Sequence, residues 1–361
     1  MDSIYWYTKC KVIRLLIWVQ GIYTMNTKSR IILNSLFGVL LLGLSATVSA
    51  SPVSGDLFYT IYSGTPNVKK VAFNYDGASS FTLGTKTVIG STPGADGIAG
   101  NPQNSDLLLV GGQGGRINTI SKSTGTVHSY VSPVSVFHLE VANPTTVYGS
   151  GIPGALAWHT INPDGSLSAG NYVYLSGSNT TITQLITTPS GYYYTSSGAG
   201  GGGSFGSLSF TDATHATTTA LASLSAAHGG VFDSYSDSII LFGDSHVTQV
   251  DLSGNVLSDI LMSGMQMDQG TVDGSGHVYA ASNNGYLTFI DYTASSLIGD
   301  VTSFRSTQFL DSYLDDVAPL VGHGSTSKVP EPGSLILMGI GLIGLGLGRH
   351  RKRRSFDQAA V

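Results

Sequence analysis

From about residue 96 to residue 303 the same order of short strand-forming runs and turns returns every 40 to 46 residues or so, and this period restricts the fold more than any other feature of the chain. The clearest copy, 267–303, reads as an inner strand at 268–272, a second at 278–282, a third at 287–292 and an outer strand at 296–301. The order recurs in 228–264, with runs at 238–242, 247–252 and 256–262. Looser copies occupy about 96–133, 136–178 and 182–224. The runs are β-branched or aromatic, which suits a pleated surface. The segments between them carry turn chemistry: Asn162-Pro163-Asp164-Gly165, Pro189-Ser190-Gly191, Leu252-Ser253-Gly254-Asn255 and Asp273-Gly274-Ser275-Gly276. No helical pattern stands between Gly55 and His323.

Four short strands in this length make one blade of a β-propeller, and a lone blade cannot bury both of its faces, so the copies must pack on one another. Two incomplete copies lie at the ends. Residues 314–320 read as an inner strand without companions, whereas 57–63, 68–75 and 81–89 read as three strands without an inner one. Pairing them closes a ring. The expected fold is therefore all-β, a propeller over 51–323 with six blades, or seven if a divergent copy is hidden; the repeats are too long for a parallel β-helix. The arrangement resembles the broad YVTN, NHL and lactonase-like propellers, although no WD or kelch signature is intact.

The proposed inner strands begin near Asp96, His138, Gln184, His228, Asp268 and Asp315, at intervals of 42, 46, 44, 40 and 47. Equivalent positions of a propeller face one mouth of the central channel, so these residues are expected to converge there. Asp96, His138, His228, Asp268 and Asp315 form a candidate site for a divalent cation such as calcium, and Gln184 would share the rim. The plainer reading is a polar, water-filled channel in which Asp and His satisfy loop amides. The lactonase-like resemblance implies a Glu, Asn and Asp calcium set, of which only Glu140 and Asp316 have counterparts here. His277 follows a hairpin turn without the further carboxylates of a calcium loop. Residues 198–203, rich in glycine, lack the lysine of a phosphate loop and read as a blade insertion. Tyr192, Tyr193 and Tyr194 alternate faces, one toward the core and one free to stack on sugar rings.

The two ends of the chain are addresses. From Met25 a charged start with Lys28 and Arg30, an apolar run at 31–44 and small residues up to Ala50 make a signal peptide, 25–50, with cleavage expected between Ala50 and Ser51. Residues 1–24 then read as a non-native or extended N-terminal segment. At the other end, a linker at 324–334 carries Val329, Pro330, Glu331 and Pro332, which the two prolines hold extended. An apolar transmembrane segment follows at 335–348, and a basic cytoplasmic tail at 349–361 opens with Arg349, Arg351, Lys352, Arg353 and Arg354. The apolar run spans about 21 Å as helix, short of a roughly 30 Å hydrocarbon core, which suits a transient anchor. This order resembles the PEP-CTERM sorting signal of Gram-negative bacteria. The resemblance implies Sec export, recognition by an exosortase, passage through the inner membrane, and delivery to the cell surface or an exopolysaccharide matrix.

Charge and cysteine usage limit the cargo. Between residues 51 and 330, 7 Lys and Arg face 19 Asp and Glu, a net −12 against −5 for the whole chain, so nucleic acid is not an expected partner. The single cysteine, Cys10, precedes the signal cleavage, which leaves no disulfide and no thiol nucleophile. No GxSxG elbow or other complete catalytic set is present. These features favour a surface or matrix protein that binds polysaccharide or protein through the propeller. The alternative is a secreted hydrolase or lyase with a metal at the channel mouth.

Overall fold

The computed structural model describes residues 51–318 except 153–154 and 198–202. The signal segment, most of the glycine-rich insert, the sorting linker, the apolar segment and the basic tail lie outside the described residues; Ser51 lies within them and is exposed. The described residues hold 24 strands and no helix, and so none long and apolar enough to cross a membrane.

Each four-strand run is a meander whose first strand lies innermost. One antiparallel sheet comprises β4 (Ala95–Gly100), β5 (Leu107–Gly112), β6 (Arg116–Ser121) and β7 (Val127–Val131). Two more comprise β16 (Gly229–Asp233), β17 (Ser238–Gly243), β18 (His246–Val250) and β19 (Val256–Leu261), then β20 (Met267–Val272), β21 (His277–Ser282), β22 (Tyr286–Asp291) and β23 (Phe304–Phe309). The chain ends share a sheet. β24 (Leu314–Ala318) pairs antiparallel with β1 (Val53–Ile61), and β2 (Val68–Tyr75) and β3 (Phe81–Gly90) complete it. Asp311 pins this closure, accepting from the Tyr59 hydroxyl at 3.0 Å and pairing with Lys69 Nζ at 2.9 Å.

The remaining eight strands form one sheet. They are β8 (Ser135–Asn143), β9 (Thr146–Ile152), β10 (Ala155–Thr160) and β11 (Asn171–Gly177), followed by β12 (Gln184–Thr188), β13 (Gly191–Ser197), β14 (Gly203–Asp212) and β15 (His215–Leu224). Two meanders are joined at their outer edges by a parallel pair, β11 with β15, from Tyr174↔His215 to Gly177↔Thr218. Side chains reinforce the seam: Tyr172 packs on Tyr174 and Tyr174 stacks on His215, with centroids 4.7 and 5.4 Å apart. The first strands β4, β8, β12, β16, β20 and β24 each neighbour the next, and β24 returns to β4.

Burial follows from this arrangement. Middle strands are covered on both faces and read as continuous apolar runs, as in Ser238–Gly243, which is buried throughout. Outer strands are partly solvated, and β23 alternates half-buried with exposed. The core consists of seams between neighbouring sheets, such as Phe81 on Phe289 at 4.4 Å with planes 2° apart, or Ile240 and Val247 with Val278 and Ile290. The outer strand expected at 296–301 is corrected to Phe304–Phe309. Ser296 takes a left-handed φ of 64°, and the backbone bonds Ser296 N to Tyr292 O and Asp300 N to Leu297 O close turns instead. Ile298 is buried from within this loop.

Ring closure leaves no room for side chains at two inner-strand glycines. A Cβ at Gly97 would lie 2.5 Å from Phe137 O and 2.8 Å from His138 Cα, and one at Gly229 would lie 2.4 Å from Asp268 O. Both contacts are with backbone, which cannot swing away.

One buried histidine sits away from this ring and gives the fold a pH dependence. His159 on β10 is fully buried, its Nδ1 faces Ser168 O at 2.9 Å, and its Nε2 has no hydrogen-bond partner. Burial holds its pKa below the usual 6.5. A depressed histidine contributes stability that is present above the unfolded value and lost as pH falls from about 6.5 toward the folded value. His159→Asn, which keeps a donor for Ser168 O, is expected to flatten the fall in melting temperature between pH 7 and 5. An unchanged slope would assign that fall to other groups.

Candidate metal centre

The inner strands begin at one end of the ring, and their first residues carry the chemistry. Asp96 is second on β4, His138 fourth on β8, Asp268 second on β20 and Asp315 second on β24, while His228 immediately precedes β16. Strict alternation would send neighbouring side chains to opposite faces. The register is broken near several of these sites, between Ala95 and Ile98, Val136 and His138, Met267 and Gly270, and Tyr59 and Ile61 opposite β24. Such bulges re-aim side chains.

The result is a cluster of four aspartates and two histidines. Three overlapping groups have ligand atoms within 4.8 Å of one another: His138, His228 and Asp268; Asp96, His138 and Asp316; Asp268, Asp315 and Asp316. His138 Nδ1 lies 3.2 Å from Asp316 Oδ2, and its Nε2 lies 3.3 Å from His228 Nε2. His228 Nε2 also lies 2.7 Å from Asp268 Oδ1, and its Nδ1 is 2.6 Å from Ser197 Oγ. Gln113 donates to Asp96 Oδ2 at 2.6 Å. Asp315 Oδ2 and Asp316 Oδ1 are buried without any hydrogen-bond partner. Five of the six residues are nearly inaccessible, whereas the His228 side chain is 33% exposed.

Electrostatics follow from burial and mutual repulsion. Burial, then the charge of Asp316, pushes Asp96 well above the usual carboxylate range, and burial with Asp96 and Asp316 does the same to Asp315. Asp316 is raised by burial, which outweighs the opposing pull of His138. Asp268 is held low, because its bond to His228 and the positive field of both imidazoles outweigh burial. Burial opposes charge on His138, yet the surrounding carboxylates prevail and raise it to about 9.

All five residues expected to hold a cation lie in this cluster, and Asp316 joins them. Gln184 does not. Its amide nitrogen donates to Leu185 O at 2.6 Å and Leu139 O at 3.3 Å, and its oxygen accepts from Gln269 at 2.7 Å, so it is occupied in tying inner strands together. Glu140 also serves the frame, accepting from the Thr187 amide at 2.9 Å across β8 and β12. His277 faces Asp273 at 2.6 Å within its hairpin and stays outside the cluster.

Among families of known proteins, the model described as the PEP-CTERM protein-sorting motif matches residues 328–353. This segment is a PEP-CTERM sorting motif. It implies export with a C-terminal membrane anchor and an exosortase-related sorting pathway. No curated protein matches the chain. Among solved structures, a calcium-binding protein, regucalcin, from Agrobacterium tumefaciens str. C58 is similar at 13% identity, over 62% of this chain and 77% of that one, with a TM-score of 0.44. That distance brings no role across.

Proposed function

We propose that this is an exosortase-sorted protein of the cell surface or extracellular matrix. Its exported part is a six-bladed propeller that holds a divalent cation at the mouth of the ring and presents that face to a polysaccharide or protein ligand. The observation that carries the cation is the pair of buried, unpartnered oxygens, Asp315 Oδ2 and Asp316 Oδ1, inside a cluster of four aspartates. Leaving a buried acceptor oxygen unsatisfied costs about 1–3 kcal/mol, and a cation within the cluster offsets that cost. The six first strands closing on one another support the blade count, with the two central meanders fused at their rims.

Calorimetric titration of the metal-free exported protein with calcium and with zinc tests the site. Saturable binding of at least one of them is expected, and no heat and no thermal stabilisation with either would remove the cation from the proposal. The sorting half is tested separately. Pro330→Ala combined with Pro332→Ala should leave the chain unprocessed in the membrane fraction, as read by immunoblot of fractionated cells. Unchanged release would detach sorting from this motif. A metal-dependent hydrolase or lyase is the second reading, favoured by the exposed edge of His228, which leaves the centre open on one side.

A further inference from the structure

We infer that the cation is a transition ion of the zinc class held through both imidazoles, and not calcium. The inference rests on the cation site proposed above and adds its identity. The two Nε2 atoms face each other at 3.3 Å. Two imidazoles bound tetrahedrally at about 2.0–2.1 Å place their nitrogens roughly 3.3–3.4 Å apart, so the rings already stand at the separation one ion requires.

The outer nitrogens are fixed in the manner of metal-bound histidines. His138 Nδ1 is held by Asp316 at 3.2 Å, and His228 Nδ1 by the Ser197 hydroxyl at 2.6 Å. Such anchoring sets the ring orientation and leaves Nε2 as the inward ligand. Asp268 lies on the same side, its Oδ1 at a hydrogen-bonding 2.7 Å from His228 Nε2, and that contact must open to about 3.3 Å for the oxygen to join the two nitrogens as a third ligand. One ion between the two Nε2 atoms would take both lone pairs at once.

At the group of His138, His228 and Asp268, as opposed to the all-carboxylate group of Asp268, Asp315 and Asp316, donor chemistry decides between the candidates. Calcium takes about six to eight oxygens at roughly 2.3–2.6 Å, and two imidazoles in its shell waste positions. Imidazole suits zinc, copper, iron and nickel. Entry is available past His228, the partly exposed member of the cluster.

Cobalt(II) is the probe, added to the metal-free full-length exported protein. The expected result is one cobalt per chain with visible absorption bands, displaced by stoichiometric zinc and retained against a large excess of calcium. His138→Gln and His228→Gln should each weaken zinc binding by about 100-fold or more, while far-ultraviolet circular dichroism shows the fold intact. Calcium displacing cobalt, or both glutamine variants binding zinc as tightly as the parent, would overturn the inference and leave the cation site standing. Failure of every ion to bind would remove both.

Discussion

Chelation of the proposed ion should lower the melting temperature by about 8–16 °C at pH 8 and by far less at pH 5. The size follows from mass action: an ion at about 1,000 times its dissociation constant stabilises the folded state by about 4 kcal/mol, and a domain of this size shifts by roughly 2–4 °C per kcal/mol. The sign of the pH dependence follows from the carboxylates. Asp96, Asp315 and Asp316 are raised above their ordinary 3.8. In the metal-free protein their contribution is fully present below that value and is lost as pH rises through the raised values. His138 acts in the same direction, its contribution present below 6.5 and lost as pH rises through about 9. An ion bound through His138 Nε2 displaces the proton held there and offsets the negative field of the neighbouring carboxylates, so its benefit grows with pH and protons compete with it at pH 5. Calorimetric scans with and without chelator at the two pH values make the comparison. An equal loss at both would mean that the buried carboxylates are not what the ion neutralises.

A companion variant separates a metal centre from a structural charge network. Asp315→Asn removes a repelled, buried carboxylate, so the metal-free protein should melt higher than its parent and lose part of the stabilisation by added ion, because a negative charge beside the ion is gone. A structural network would respond in the opposite way, with the variant less stable under both conditions.

Gly97→Val should destabilise the fold by about 3 kcal/mol, at the upper end of overpacking costs, because the clash is with backbone. The new Cβ would meet Phe137 O and His138 Cα, and relief requires β4 and β8 to part where Asp96 and His138 approach. Ion binding should fall with stability. Gly100→Val, at the other end of β4 where nothing lies within 4 Å of a Cβ, is the control and should change stability by only about 0.5 kcal/mol. Urea unfolding of the two variants checks this. Similar midpoints would show that the inner strands are looser than their contacts indicate.

Most strands were legible because the signals are local. Runs such as Ile239, Ile240, Leu241 and Phe242 lie between turn residues, and a strand covered on both faces has no need of alternation. The outer edge was harder to read. Leu297, Ile298 and Val301 look like a strand, but Ile298 is buried from a loop, while the true strand carries Arg305 and Gln308 on a polar, half-solvated edge. The parallel seam between β11 and β15 left no local mark, since it depends on how two meanders meet.

The site was legible in position and not in direction. The period placed Asp96, His138, His228, Asp268 and Asp315 at the starts of inner strands, and the cluster contains them all. Gln184 held the same place in the period, but its amide fits neighbouring carbonyls and it turned to them. Asp316 should face away from Asp315 in a regular strand, yet both belong to one triad. The irregular register opposite β24 lets them, and bulges of this kind have no sequence signature strong enough to place them in advance.

The most direct test of the centre is anomalous diffraction from crystals of the exported protein grown with zinc, collected on both sides of the zinc edge. The predicted result is one anomalous peak about 2.0–2.2 Å from His138 Nε2, His228 Nε2 and an oxygen of Asp268. No peak at that position, with the two imidazoles still facing each other, would contradict a metal centre at the mouth of this ring.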